Sequence, residues 1–279
     1  MMLPERVDFL ILGAGWTSKF LIPVLESSKT PYAATTTTGH DGTISFKFDP
    51  ESDETSPYKA LPHANTILIT FPLRGKGQSE HLVKLYSKVH PIESGKATPN
   101  WIQLGSTGIF TAAHWNTCNS PYDKENTRAI AEDELLGLSS VNSTVLNLAG
   151  LYDDDVRKPR NWVDRVAKNK HDVGGKLALH LIHGIDVARA ILNVHQKFPA
   201  VQGRRWLLTD MFVYDWWSLI MDWGGTLMDG ETYRRAVWLC MQETYTEALP
   251  RSVEKLGRVL DSRDFWGAIG ILPEQGRVK

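Results

Sequence analysis

Short apolar runs recur through the first half of the chain, each followed by a stretch of helical spacing. Residues 7–12 (VDFLIL) are apolar apart from Asp8, the pattern of a strand covered on both faces. Residues 17–28 carry helical periodicity with Pro23 inside it, which predicts a kinked first helix. Residues 32–37 predict a second strand. The alternation of Ile44, Phe46 and Phe48 predicts a short third one that stops at Asp49-Pro50. Residues 66–71 read as a fourth strand leading into the loop PLRGKG, and residues 78–89 as a helix. A fifth strand over 101–104 ends in Gly-Ser-Thr-Gly; a helix over 124–136 and a sixth strand over 144–148 follow. Strands alternating with helices in this way predict an α/β chain built around a parallel sheet.

The texture changes after Gly150. The segment LYDDDVRKPRNW is polar and turn-like, and residues 177–182 are apolar. Asp186 stands where a side chain would cap a helix over 187–196. Residues 205–209 read as a short strand, and 214–221 and 232–248 as helices. The division expected is an N-terminal domain over 1–150 and a smaller C-terminal lobe over 151–279, some of whose elements return to the sheet.

Candidate chemistry starts at Gly13-Ala14-Gly15, between the first strand and the first helix. A tight turn there needs a residue free of Cβ penalties. A second glycine lets the backbone approach a pyrophosphate at a helix N-terminus, where free N–H groups and the dipole favour anions. This makes residues 1–150 the expected dinucleotide-binding part of an α/β chain. The alternative is a tight turn with no ligand. Ser18 stands where the usual fingerprint has its third glycine, with Trp16 and Thr17 before it. The expected cofactor contacts are Gly13, Gly15, Trp16, Thr17 and Ser18, with Thr36, Asp49, Phe71 and Pro72 at the ends of later strands. Asp49 would accept from an adenine amine or serve as a turn residue before Pro50. The end of strand two is ATTTTGHDG, with no carboxylate before Asp41 to hold a ribose diol. That favours NADP(H) over NAD(H), although no arginine follows and Lys19 and His40 are the nearby cations.

Composition narrows the partners. A net charge of −1 gives no basic footprint for nucleic acid, and no apolar run approaches the roughly 18–20 residues of a membrane span. The first residues carry acidic side chains and lead straight into a strand, unlike a signal peptide. Cys118 and Cys240 lack metal or CxxC spacing and read as free thiols in a reducing cytoplasm. His180 and His183 point to opposite faces of a strand with no third ligand near, so no metal is expected. A small-molecule substrate and a monomer or homodimer are expected. Among the ten tryptophans, Trp216 and Trp217 either pack the small lobe or wall a pocket for a flat substrate.

The order of motifs carries a resemblance. A glycine turn comes first, then Ser106-Thr107-Gly108 after strand five, and then a helix with Arg128 and Glu132. VLNLAGLYD and LHLIHGIDVARAIL complete the series. Together these resemble the extended short-chain dehydrogenase/reductase superfamily, in its atypical branch of NAD-dependent epimerase/dehydratase-like proteins. RWLLTDMFVYDWWSLIMDWG is similar to fungal members of that branch. The resemblance implies a Rossmann-type doubly wound parallel sheet, a dinucleotide along the glycine turn and a substrate pocket under the C-terminal lobe, lined by Ser106 and by Asp153 of the loop after strand six. It also implies a Tyr and a Lys four residues later on the helix after strand five, with a Ser or Thr holding the substrate oxygen. This chain departs from that pair: the two positions fall on Lys124 and Arg128, and four residues after Tyr122 stands Asn126. The catalytic expectation is therefore Thr107 holding the oxygen, Tyr122 or a water giving the proton, and Arg128 supplying fixed charge. The functions expected are an NADP(H)-preferring oxidoreductase on a small hydrophobic carbonyl or alcohol, a redox-silent isomerase or cyclase, or a dinucleotide sensor.

Overall fold

The computed structural model describes residues 5–92, 97–228 and 230–278; residues 1–4, the start of the segment expected not to be a signal peptide, lie outside them. Seven parallel strands form the centre: β1 (Arg6–Leu12), β2 (Tyr32–Thr36), β3 (Ile44–Ser45), β4 (His63–Ile69), β5 (Asn100–Ser106), β6 (Asn142–Leu148) and β7 (Arg205–Leu208). Their spatial order is β7-β6-β5-β4-β1-β2-β3. The chain winds outward from β1 to β3, then crosses back to β4 and winds the other way. The sheet is therefore the doubly wound parallel sheet expected, and its order reverses between β1 and β4, where a crevice opens at the carboxyl ends.

The flanking helices are α1 (Ser18–Ser27), α2 (Gln78–Val89), α3 (Thr127–Gly137) and α4 (Gly184–Gln196). A smaller lobe carries α5 (Trp216–Trp223) and α6 (Tyr233–Glu243), and α7 (Arg263–Ile269) returns to the sheet. Side chains alternate across a strand, so β1 feeds both layers. Phe9 and Ile11 pack with Leu21 of α1 and Ile191 of α4, while Leu10 and Leu12 pack with Leu82 of α2 and Leu135 of α3. The strand β7 pairs with β6 residue by residue, from Arg205 on Val145 to Leu208 on Leu148, so the later half of the chain completes the sheet. Among the described residues, no helix is long and apolar enough to cross a membrane.

Several boundaries differ from the sequence expectation for local reasons. Asn126 caps α3 by accepting from the Arg128 amide at 3.0 Å, which starts the helix at Thr127 and not at 124. Pro23 lies inside α1 without ending it. Asp186 is not the cap of α4. His183, which ends the short strand Leu181–His183, caps it through Nδ1, accepting from Ile185 N at 3.2 Å. Asp186 sits in the first turn and is fully buried, accepting from Arg189 Nη1 at 3.0 Å and from the amides of Glu274 and Gln275 at 2.8 and 3.0 Å. Its carboxylate anchors the C-terminal segment, a partner 88 residues away that local pattern does not reveal. Tyr214 and Asp215 pair as an antiparallel bridge with residues 178–179, so helix α5 starts at Trp216 with Asp215 as its cap.

Candidate functional site

The turn after β1 is fixed by its neighbours. Gly13 has φ +95°, and a Cβ there would meet Thr70 Oγ1 at 2.7 Å, so the position is closed to other residues. Its amide donates to Thr35 Oγ1 at 2.9 Å, and Thr70 Oγ1 donates to its carbonyl. Hydroxyls from β2 and from the end of β4 thus clamp the turn at the crevice. Gly15 is the opposite case: a Cβ there would meet nothing within 4 Å. Open space beside bare backbone, next to the start of α1, is what close approach of a phosphate group requires. Ser18 is 2% exposed, and its hydroxyl has no partner among the described residues.

Two cavities flank this turn and share Pro72. One, of about 440 Å³, is lined by Gly13, Thr37, Lys47, Phe48, Phe71 and Arg74, at the ends of β2 and β3 and the loop after β4. Phe48 and Phe71 stack there with ring centroids 5.9 Å apart. The other, of about 320 Å³, is lined by Thr17, Thr70, Ser106, Arg128, Leu151 and Arg157, over the ends of β4, β5 and β6. Both are cationic, and no carboxylate lines either one.

Of the residues expected from sequence, the structure brings Gly13, Thr17, Phe71, Pro72, Ser106 and Arg128 onto these walls. Ser106 Oγ accepts from Gly108 N at 3.1 Å, which leaves its own proton free to donate into the cavity. Arg128 Nη2 donates to Leu104 O at 3.0 Å, while its buried Nε has no partner among the described residues. Burial pulls the Arg128 pKa down against the neighbouring Glu132, and the group remains a cation at neutral pH.

Others lie elsewhere. Thr107 is buried, donates to Leu148 O at 3.3 Å and lines neither cavity. Tyr122 is turned toward α3: its hydroxyl donates to Asp133 Oδ1 at 2.8 Å, and the Arg205 guanidinium lies 4.1 Å over its ring. Burial, then the Asp133 bond, pushes its pKa up, and Tyr122 lines neither cavity. Thr36 accepts from Gly39 N at 2.9 Å within its own loop, and the exposed Asp49 accepts from Glu51 N at 3.0 Å. Trp216 and Trp217 belong to the small-lobe core and not to either cavity wall. The Trp217 indole donates to Val173 O at 2.8 Å, beneath Arg251. Trp16 donates its indole N–H to Asp153 Oδ2 at 2.6 Å, and the Arg157 guanidinium lies 4.3 Å over its ring. Asp153 is thus tied to the glycine turn.

Sequence reasoning missed Lys47, Thr70 and Arg74 as individual residues. Arg74 lies in the PLRGKG loop, where a cation in the loop after a strand was a usable signal. Thr70 and Lys47 carried none. Missed as well was the buried cluster behind Ser106. Glu132 is 0% exposed, accepting from Arg205 Nη1 at 2.7 Å and Asn147 Nδ2 at 2.8 Å. Burial pushes its carboxyl up, against Asn147, Arg205 and Arg128. Its Oε1 would lie 2.5 Å from a Cβ at position 105, so only glycine fits there on β5. Among the described residues, no group of three or more His, Cys, Asp or Glu is placed to hold a metal.

No family model matches the chain, and no curated protein matches it. Solved structures do. A UDP-N-acetylglucosamine 4-epimerase from Bacillus cereus aligns over 97% of this chain and 94% of its own, at 10% identity and a TM-score of 0.59. Vestitone reductase from alfalfa (Medicago sativa) aligns over 97% and 94%, at 12% identity and a TM-score of 0.59. A short-chain dehydrogenase/reductase superfamily protein from Agrobacterium tumefaciens, with bound NAD, aligns over 96% and 93%, at 10% identity and a TM-score of 0.61. At such identities the likeness is one of fold, and it extends over nearly the whole of each chain.

Proposed function

We propose that this chain is a nicotinamide-dinucleotide-binding protein of the short-chain dehydrogenase/reductase superfamily, and that it prefers NADP(H). One observation carries the reading: two cationic cavities flank a glycine turn at the point where the strand order reverses. The fold neighbour from Agrobacterium tumefaciens is described with bound NAD. The open backbone at Gly15 and the start of α1 would receive the pyrophosphate. The cavity with Phe48, Phe71, Lys47 and Arg74 would take the adenosine end, where two cations and no carboxylate favour a 2′-phosphate. The cavity with Ser106 and Arg128 would take the nicotinamide end and the substrate.

When bound, the nicotinamide supplies a hydride donor or acceptor. The chain's own residues do the rest. Ser106 Oγ–H donates to a substrate oxygen, a part the sequence suggested for Thr107. Arg128 holds positive charge next to that oxygen, stabilising negative charge that builds on it. Neither group exchanges a proton at neutral pH, so the proton comes from water reaching the cavity. The substrate is a small carbonyl compound or alcohol.

A second reading keeps the dinucleotide and drops redox turnover, as in a sensor or an isomerase. It is favoured by Tyr122, whose hydroxyl is engaged by Asp133 and which lines neither cavity.

Calorimetric titration with NADPH and NADH tests the binding reading. NADPH is expected to bind more tightly, and Arg74→Ala and Lys47→Ala each to narrow the difference. Binding of neither dinucleotide overturns it. If NADPH binds and no carbonyl compound in a broad panel is reduced, the second reading stands.

A further inference from the structure

A third cavity, of about 460 Å³, shares no lining residue with the two beside the glycine turn. Tyr152, Asp153, Lys158, Arg160, His183 and Arg277 are among its walls. The short strand Gly150–Tyr152 separates it from one of those two. Its alternation turns Leu151 to the nicotinamide-end cavity and Tyr152 to this one. The Trp16–Asp153 hydrogen bond joins the glycine turn to a wall of this cavity.

The floor is His183, 2% exposed. Its Nδ1 lone pair is used in capping α4, so the neutral ring carries its proton on Nε2. That Nε2 is buried and has no hydrogen-bond partner among the described residues. The nearest carboxylate, Asp154, is 3.7 Å away, beyond hydrogen-bonding distance, with a side chain 91% exposed. A buried donor without an acceptor marks a place where an acceptor belongs.

The walls supply charge of matching sign. Lys158 and Arg160 meet no acceptor among the described residues, and Arg277 lies over the Tyr214 ring at 5.9 Å. Asp153 also lines the space, but its acceptors are taken. Oδ1 receives the amides of Asp155, Val156 and Arg157, and Oδ2 receives the Trp16 indole. Asp154 lines the space too, with its carboxylate exposed, so the cavity offers a buried donor and three cations, Lys158, Arg160 and Arg277, against one free carboxylate. We propose that it is a second ligand site that takes a compact organic anion, a carboxylate or a phosphate. Oxygens of that anion accept from His183 Nε2–H and pair with Lys158 and Arg160. The volume leaves room for the body of a small metabolite beyond the anionic group, with the Tyr152 ring as its apolar wall. This site is independent of the dinucleotide reading.

Calorimetry on the full chain at fixed ionic strength, with inorganic phosphate and with succinate as probes, tests the proposal. At least one probe is expected to bind above a chloride control, and the two arms show which kind of anion the site prefers. The Lys158→Glu/Arg160→Glu pair is expected to weaken that binding by about tenfold or more, with an unchanged Tm and unchanged NADPH affinity. His183→Asn keeps an N-cap acceptor while deleting the Nε2 donor, and is expected to weaken the same probe. If His183→Asn does not fold, the charge-reversed pair alone decides. Failure of both probes to exceed chloride, or equal binding by the charge-reversed pair, overturns the proposal.

Discussion

Ser106 and Thr107 are neighbours in the chain and opposites in surroundings. Ser106 ends β5 with its hydroxyl facing a cavity, whereas Thr107 opens a 3-10 turn and buries its hydroxyl against Leu148 O. Thr107→Ala is therefore expected to lower stability by about 1 kcal/mol, read as a drop in Tm, with NADPH affinity unchanged. Ser106→Ala is expected to leave Tm in place and to slow turnover of a reduced carbonyl substrate by about a hundredfold. Equal turnover by wild type and Ser106→Ala would remove Ser106 from the chemistry. The motif Gly-Ser-Thr-Gly pointed to both residues. Choosing between them needs the face each side chain takes, and strand alternation ends where the 3-10 turn starts. Tyr122 shows the same limit. Its partners are Asp133 and Arg205, and the second lies 83 positions away, out of reach of any local pattern.

At the scale of elements, the candidate site rests on one tie among β5, α3 and β7. Glu132 reaches from α3 into the space that a side chain at Gly105 would need, and Arg205 reaches to it from β7. Gly105→Ala forces the buried carboxylate aside and is expected to cost about 1–3 kcal/mol in urea unfolding. Arg205→Ala leaves Glu132 buried without its closest cation and is expected to cost more, about 3–5 kcal/mol. A loss under 1 kcal/mol for Arg205→Ala would show that the pair contributes little. Helix α3 was legible from its Glu, Arg and Ala content, and β7 from its apolar run. The tie was not, because a buried ion pair joins positions far apart in the chain and leaves no periodic trace. The cap of α4 was misplaced for a related reason: a His can cap, and Asp186 looked like the more usual choice.

For the whole molecule, the alternation of strands and helices was readable because most strands are apolar runs buried on two faces; β3, with Ser45 exposed, is not. The return of β7 to the edge of the sheet was readable only in outline. Two buried groups in the region between sheet and small lobe set opposing pH dependences. Burial, then Arg258, pulls His180 from 6.5 down to about 4, so the folded chain binds fewer protons than the unfolded one between those values. Stability from this group therefore rises with pH through that window. Burial pushes Asp210 from 3.8 up to about 7, although Tyr214 and the Phe212 amide donate to it. The folded chain then binds the extra proton, and stability from this group falls as pH rises from about 4 to about 7. The two slopes nearly cancel below pH 6.5. Asp210→Asn removes one of them, and urea midpoints are expected to show stability rising by about 1.4 kcal/mol per pH unit between roughly pH 4.5 and 6, relative to wild type. Parallel profiles would mean that Asp210 titrates normally. The indole of Trp16 has a consequence of another kind. It belongs to the glycine turn, is hydrogen-bonded to Asp153 and lies under Arg157, a lining residue of the cavity with Ser106 and Arg128. The molecule therefore carries a fluorophore of its own at the partition between two of its cavities. The difference in emission between wild type and Trp16→Phe isolates that one indole from the other nine tryptophans, and its quenching can follow occupancy on either side without a label.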